Sequence, residues 1–286
     1  MYKALNYWVY GGFDGQKTPY EFIDFAKEMG LDGVELTFGD IIKEDITADE
    51  CTKIREYAKS KNIGLRTMAS GAYWGLSLAS ENEEERRKAV AFTRRYIEVA
   101  SLLGVETILV VAGATRVAWD PSRPIQSYKS VWDRSLATLE EIKGDLDKYQ
   151  VNVGLENVWN RFLISPMEWK FYLEAVNHPR IGMYFDIGNC EFQVPAVDFI
   201  EILGDKIKAI HVKNFIGNDS CGTLHGFGDD LLKGDVDFAA VKKALEAMNY
   251  KGTLTAEMIP FSRLPDLVLP DYELAVDTAK KLKSIL

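Results

Sequence analysis

The chain is short of positive charge, of cysteine and of histidine. Its 286 residues carry 34 Lys and Arg against 43 Asp and Glu, a net charge of −9. A broad nucleic-acid surface needs surplus cations to neutralise phosphates, so that class is disfavoured. The three cysteines, Cys51, Cys190 and Cys221, are far apart and show no zinc spacing. An odd, scattered count fits reduced thiols in a cytoplasm. No apolar run approaches the ~18 residues of a membrane helix, and the first residues show no apolar signal core. A cytoplasmic protein with no membrane partner is the expectation. Gly-x-Gly-x-x-Gly is missing after the first strand, which removes the dinucleotide-binding fingerprint. No low-complexity stretch or linker divides the chain, so one domain spanning residues 1–286 is expected.

What is present is a regular alternation. Apolar runs of strand length at residues 3–9, 31–36, 62–68, 105–113, 151–156, 181–186, 207–213 and 253–258 are separated by amphipathic helical stretches. Thr18-Pro19 with Glu21, and Ser165-Pro166 with Glu168, have the spacing of capping boxes and mark two helix starts. Gly30 and Gly104 stand where helices should end. Residues 81–103 read as a long helix, and 128–148 as another. Eight strand–helix repeats in a chain of this size predict an α/β fold, a (β/α)8 TIM barrel, with a doubly wound open sheet as runner-up.

A barrel carries its chemistry at the C-terminal ends of its strands. Four consecutive apolar runs each hold one ligand-type side chain there: Glu156, Asp186, His211 and Glu257. Alternation of side chains along a strand turns all four inward, and Glu35 and Lys213 with them. Polar groups are costly to bury without a partner, and a shared divalent cation is the natural one. Three carboxylates and one imidazole favour Mn, Co or Mg, with Zn compatible. Such a cation can polarise the carbonyl of a hydroxy-ketone while two glutamates move protons on opposite faces. Return of the proton to the same carbon is epimerisation, and return to its neighbour is aldose–ketose isomerisation.

The segments LENVWN (155–160), YFDIGN (184–189), IHVKN (210–214), GDVDF (234–238) and TAEM (255–258) resemble the xylose-isomerase-like sugar isomerase and epimerase superfamily. Within it they look closest to hexulose-6-phosphate isomerases and L-xylulose-5-phosphate 3-epimerases. The resemblance covers almost the whole chain and is specific in its second half. It implies a divalent metal on Glu156, Asp186, His211 and Glu257, with Glu156 and Glu257 as the proton-transfer pair. Ketose 3-epimerases of this superfamily often carry a histidine where Asn189 stands, and an arginine shortly after the histidine ligand, where this chain has none. Many relatives have aspartate at the position of Asn214. These departures spare the ligand set and leave the sugar, and its phosphorylation, open.

Other residues carry competing readings. Glu35 more simply orients a neighbour. Lys213 either polarises a substrate oxygen or satisfies a carboxylate. Asn189, Trp8, Trp74, Trp119 and His225 are candidate substrate contacts, since aromatic walls suit sugar faces, although each tryptophan could equally be core. Cys190 reads as a small buried residue, and His178 as a surface residue at the opposite end of the barrel. The sugar is the expected partner, with a dimer or tetramer left open. The alternatives are a lyase of the inosose dehydratase or C-deglycosylase type, an apurinic endonuclease, and a non-catalytic sugar binder. Three histidines are too few for the endonuclease's histidine-rich cluster. Binding alone does not need both glutamates.

Overall fold

The computed structural model describes residues 1–117, 119–217 and 223–285. Cys221 and the middle of the Gly-rich loop after the seventh strand lie outside the described residues. Eight parallel strands close into a barrel in sequence order: β1 (Tyr2–Asn6), β2 (Gly33–Thr37), β3 (Gly64–Ala69), β4 (Thr107–Val110), β5 (Asn152–Glu156), β6 (Ile181–Asp186), β7 (Ile207–Val212) and β8 (Thr253–Ala256). Closure is made by β1, which pairs with β2 on one side and β8 on the other, Ala4 lying opposite both Gly33 and Thr255. The open-sheet alternative is therefore excluded. No helix among the described residues is long and apolar enough to cross a membrane.

The outer layer follows the caps. Thr18 accepts from the Glu21 amide while Glu21 accepts from the Thr18 amide, which starts α2 (Pro19–Met29); Ser165 and Glu168 repeat the arrangement at α7 (Pro166–Val176). Thr47 and Glu50 form a third box, ahead of α3 (Ala48–Ser60). Each N-cap hydroxyl contributes about 1 kcal/mol. The long helix α4 starts two residues later than expected, at Glu83, because the Asn82 side chain caps it, and it runs to Leu103.

Two expectations need correction. The first strand stops at Asn6 instead of running to residue 9. The Asn6 carboxamide oxygen accepts from the Trp8 amide at 2.8 Å and turns the chain into a short helix, α1 (Tyr7–Gly11). The helix expected over 128–148 is two, α5 (Tyr128–Glu140) and α6 (Lys143–Tyr149). Between them Arg94 of α4 donates to the Glu141 carbonyl at 2.8 Å and pairs with Asp145 at 3.0 Å. A carbonyl held by a neighbouring helix is not free to continue its own.

Helices α8 (Ile187–Glu191), α9 (Ala196–Leu203), α10 (Phe238–Ala247) and α11 (Tyr272–Ile285) complete the described ring. The barrel's lower end is closed by Tyr2. A Cβ placed on Gly33 or on Gly64 would lie 1.9 Å or 2.0 Å from the Tyr2 hydroxyl oxygen, so both strands depend on having no side chain there. Above this floor the interior turns polar, with Glu35, Thr67, Tyr184, His211 and Thr255 all buried.

Candidate metal centre at the barrel mouth

Each of the four ligand-type residues ends or follows a strand. Glu156 and Asp186 are the last residues of β5 and β6, His211 is the penultimate residue of β7, and Glu257 follows β8 directly. Register sets Asp186 opposite His211 across β6 and β7. The Glu257 amide donates to the Val212 carbonyl at 3.1 Å, which extends the pairing one residue past β8. Ligand atoms of all four lie within 4.8 Å of one another, and all four residues are buried. From His211 Nδ1 the distances are 3.1 Å to Glu156 Oε1, 3.6 Å to Glu257 Oε2 and 3.9 Å to Asp186 Oδ2.

The charges do not balance. Four carboxylates, with Glu35 included, surround the buried imidazole of His211 and the buried ammonium of Lys213. Lys213 Nζ lies 2.8 Å from Asp186 Oδ2 and 2.9 Å from Glu257 Oε2. Burial first, then the neighbouring Glu257 and Asp186, push Glu156 up to about 7 against the pull of His211. Burial also raises Asp186, with Lys213 opposing. Burial alone would lower His211, but Glu35, Glu257 and Glu156 raise it well above the ordinary imidazole value. Among the described residues Asp186 Oδ2 is buried without a hydrogen bond, and its one charged neighbour at close range is the Lys213 ammonium at 2.8 Å. Crowded carboxylates, an oxygen without a hydrogen bond and an oxygen–nitrogen donor set together fit a divalent cation.

Glu35 holds the imidazole from behind. His211 Nε2 lies 2.6 Å from Glu35 Oε1, leaving Nδ1 to face the carboxylates. Asn6 Nδ2 donates to Glu35 Oε1 at 2.8 Å, and the Tyr184 hydroxyl donates to Oε2. Burial would raise Glu35, but His211 and these two donors hold it below the ordinary carboxylate value. The reading of Glu35 as an orienting residue agrees with this geometry. Partners that fix a ligating histidine are worth 10–100-fold in metal affinity. Glu35→Gln is therefore expected to weaken Mn binding by about 10-fold, measured by calorimetric titration; an unchanged Kd would mean the ring needs no such support.

Asn6, Tyr184 and Asn157 are residues to which sequence reasoning gave no role in the site, although alternation turns Tyr184 inward with Asp186. Asn157 clamps β6: its side chain accepts from the Asp186 amide and donates to the Asp186 carbonyl, both at 2.8 Å. The one available signal was a polar residue directly after Glu156 at a buried strand end.

The candidate substrate contacts are less uniform. Asn189 sits beside the cluster, its amide donating to Asp186 Oδ1, but its side-chain NH2 is committed to the Asn157 carbonyl at 2.9 Å. Trp8 is buried and donates to Asp40 at 2.7 Å. Trp74 and Trp119 meet edge to face at 4.4 Å, Trp119 being exposed. His225 is exposed in the turn Leu224–Gly226. Trp8 lies in α1, and Trp74, Trp119 and His225 lie in the segments after β3, β4 and β7. Cys190 is buried, and its thiol contacts the Ile187 carbonyl. His178 is half-buried at the molecular edge, with 9% of its side chain exposed, beside the exposed Asp147 and accepting from the Arg180 amide.

The fold has named relatives. Over 190 residues the chain is 29% identical to an uncharacterised protein of Methanocaldococcus jannaschii; the match takes in 64% of this chain and 60% of that relative's length. It is 27% identical over 249 residues to a putative L-ribulose-5-phosphate 3-epimerase of Escherichia coli K12, covering 83% of this chain and 82% of the relative. A solved D-psicose 3-epimerase of Clostridium cellulolyticum H10, crystallised with D-tagatose, superposes with a TM-score of 0.77 at 16% identity, covering 99% and 97% of the two chains. The model of one family, described as a xylose isomerase-like TIM barrel, matches residues 23–284, and the chain belongs to that family.

Proposed function

We propose that the chain is a metal-dependent ketose isomerase of the 3-epimerase type, working through Glu156 and Glu257. The observation that carries the reading is the presence of both glutamates on a buried four-residue cluster whose donor set suits a divalent cation. A relative named as a putative ketose-phosphate 3-epimerase supports it. Glu156, Asp186, His211 and Glu257 would hold the metal, with Mn, Co or Mg favoured by the oxygen-rich set. When bound, such a cation supplies a Lewis acid to the two adjacent oxygens of a hydroxy-ketone.

The chain's own residues supply the proton movements. One glutamate carboxylate takes the proton from C3 of the ketose, and the C–H electron pair moves into an enediolate across C2 and C3. The other glutamate, protonated, returns a proton to the opposite face of C3 and restores the C2 carbonyl. Glu156 on β5 and Glu257 after β8 reach the cluster from strands separated by β6 and β7, as a two-faced transfer requires. Lys213, held between Asp186 and Glu257, fixes the Glu257 carboxylate in place.

The test is a panel of ketoses in D2O with the Mn-loaded protein, read by NMR at each carbon. Deuterium at C3 with a mixture of C3 stereoisomers is expected. Uptake on the C1–C2 unit with aldose formation would make the reaction an aldose–ketose isomerisation instead. No exchange at any carbon, with the metal confirmed bound, overturns the reading.

A further inference from the structure

The backbones of β5 and β6 pair as far as Glu156 opposite Tyr184. Beyond that point the chain leaves β5, and the pairing passes to a side chain. Asn157 Oδ1 accepts from the Asp186 amide and Asn157 Nδ2 donates to the Asp186 carbonyl, both at 2.8 Å. A carboxamide carries a donor and an acceptor side by side, as a peptide group does, so it adds one rung to the ladder. Asp186 is fully buried, and without that rung its N–H and C=O would lose their partners where water does not reach.

Two further bonds turn the rung into a ring. Asp186 Oδ1 accepts from the Asn189 amide at 2.9 Å, and Asn189 Nδ2 donates to the Asn157 carbonyl at 2.9 Å. The Gly188 amide also donates to Oδ1, at 2.9 Å. Oδ1 is thereby spent on the start of α8. Oδ2, which has no hydrogen bond, is the oxygen left for the cluster, 3.9 Å from His211 Nδ1. The ring thus holds Asp186 by both its backbone and its carboxylate, and it begins one residue after Glu156. Further along the same loop Asn160 Nδ2 donates to the Gly113 carbonyl at 2.7 Å, and the Asn160 carbonyl accepts from the Thr115 amide at 3.0 Å. Gly113 and Thr115 follow β4. The segment that leaves β5 at Glu156 is therefore tied by two asparagine side chains, one to each neighbouring strand end.

Resting on the reading of the cluster as the metal centre of a ketose isomerase, we propose that Asn157 and Asn189 are positioning residues. Together they hold Asp186 Oδ2 and Glu156 where a cation can use them, and neither supplies a ligand atom. Asn189 then acts on the metal through this ring, not on the sugar by contact. Its residue type alone suggests a substrate contact, but its NH2 is already committed to Asn157.

The test compares the wild type, Asn157→Ala, Asn189→Ala and the double variant. Mn affinity is measured by calorimetric titration, and the ketose KM at saturating Mn by deuterium uptake. Asn157→Ala should weaken Mn binding by about 10-fold, as expected for a group that orients a metal ligand. Asn189→Ala should weaken it by a smaller factor and leave KM unchanged, because the rung on Asp186 survives. The double variant should bind Mn as Asn157→Ala does: once the rung is gone, Asn189 has nothing to transmit, whereas independent groups add. Asn189→Ala keeps both bonds between Asn157 and Asp186, so it decides alone if Asn157→Ala does not fold. A raised KM with unchanged Mn affinity in Asn189→Ala makes that residue a substrate contact and overturns the proposal. Additive losses in the double variant, or unchanged Mn affinity in Asn157→Ala, overturn it too. A wild-type protein that binds Mn but exchanges no ketose sinks the isomerase reading, and the Mn titrations still judge the ring.

Discussion

Replacing Glu257 by glutamine is expected to lower deuterium uptake at C3 by about 10²–10⁴-fold, the usual contribution of a positioned proton-transfer group. Glu156→Gln should do the same. Both side chains are buried, and glutamine keeps their size and one acceptor oxygen. In Glu257→Gln that oxygen can still accept from Lys213, which now lies 2.9 Å from Oε2. In Glu156→Gln it can still face His211 Nδ1, now 3.1 Å from Oε1. The melting temperature should therefore move little, while the chemistry stops. Mn titration separates loss of metal from loss of proton transfer: a variant that binds Mn at saturation yet exchanges no deuterium has lost the proton step alone. Near-normal exchange in either variant would falsify the two-glutamate mechanism.

The second large effect is on stability. Lys213→Met should destabilise the metal-free protein by about 3–5 kcal/mol, the cost of removing one partner from a buried ionic pair. Lys213 is buried against Asp186 and Glu257, and methionine leaves their carboxylates facing one another and Glu156 without the ammonium. A divalent cation supplies the missing charge. Saturating Mn should therefore raise the melting temperature more in Lys213→Met than in the wild type. Denaturant titration without metal gives the first number, and thermal melts with and without Mn give the second. Equal metal-free stability in the two proteins would mean that the carboxylates need no such offset.

Much of this site was legible in the sequence because the chemistry sits on strand ends that announce themselves. Glu156, Asp186, His211 and Glu257 each close an apolar run, and period-two alternation fixes which face they share. Local signals also placed α2, α7 and the end of α4, since each cap lies within a few residues of what it caps. Errors arose where a distant group overrules a local pattern. Nothing near residue 141 reveals that Arg94 will take its carbonyl. Nothing in the run 3–9 says that Asn6 will turn inward, cap a helix with its oxygen and support Glu35 with its NH2. Tyr184 reaches Glu35 across 149 positions of sequence, a pairing that only barrel closure creates. The tryptophans were ambiguous for another reason: residue type gives an aromatic surface but not its neighbour, and Trp8 proved to be tied to Asp40.

The floor of the barrel constrains how such a chain can change over time. At Gly64 the first obstacle to a side chain is the Tyr2 hydroxyl, with the rest of that ring at 3.0 Å and beyond. Shortening residue 2 first would open that position to alanine, whereas the reverse order passes through a clash. Gly33 has no such route, because a Cβ there also meets the backbone carbonyl of Gly64 at 2.5 Å. Residues 2 and 64 should therefore drift as a linked, ordered pair among descendants of this chain, while residue 33 stays fixed whatever its neighbours do.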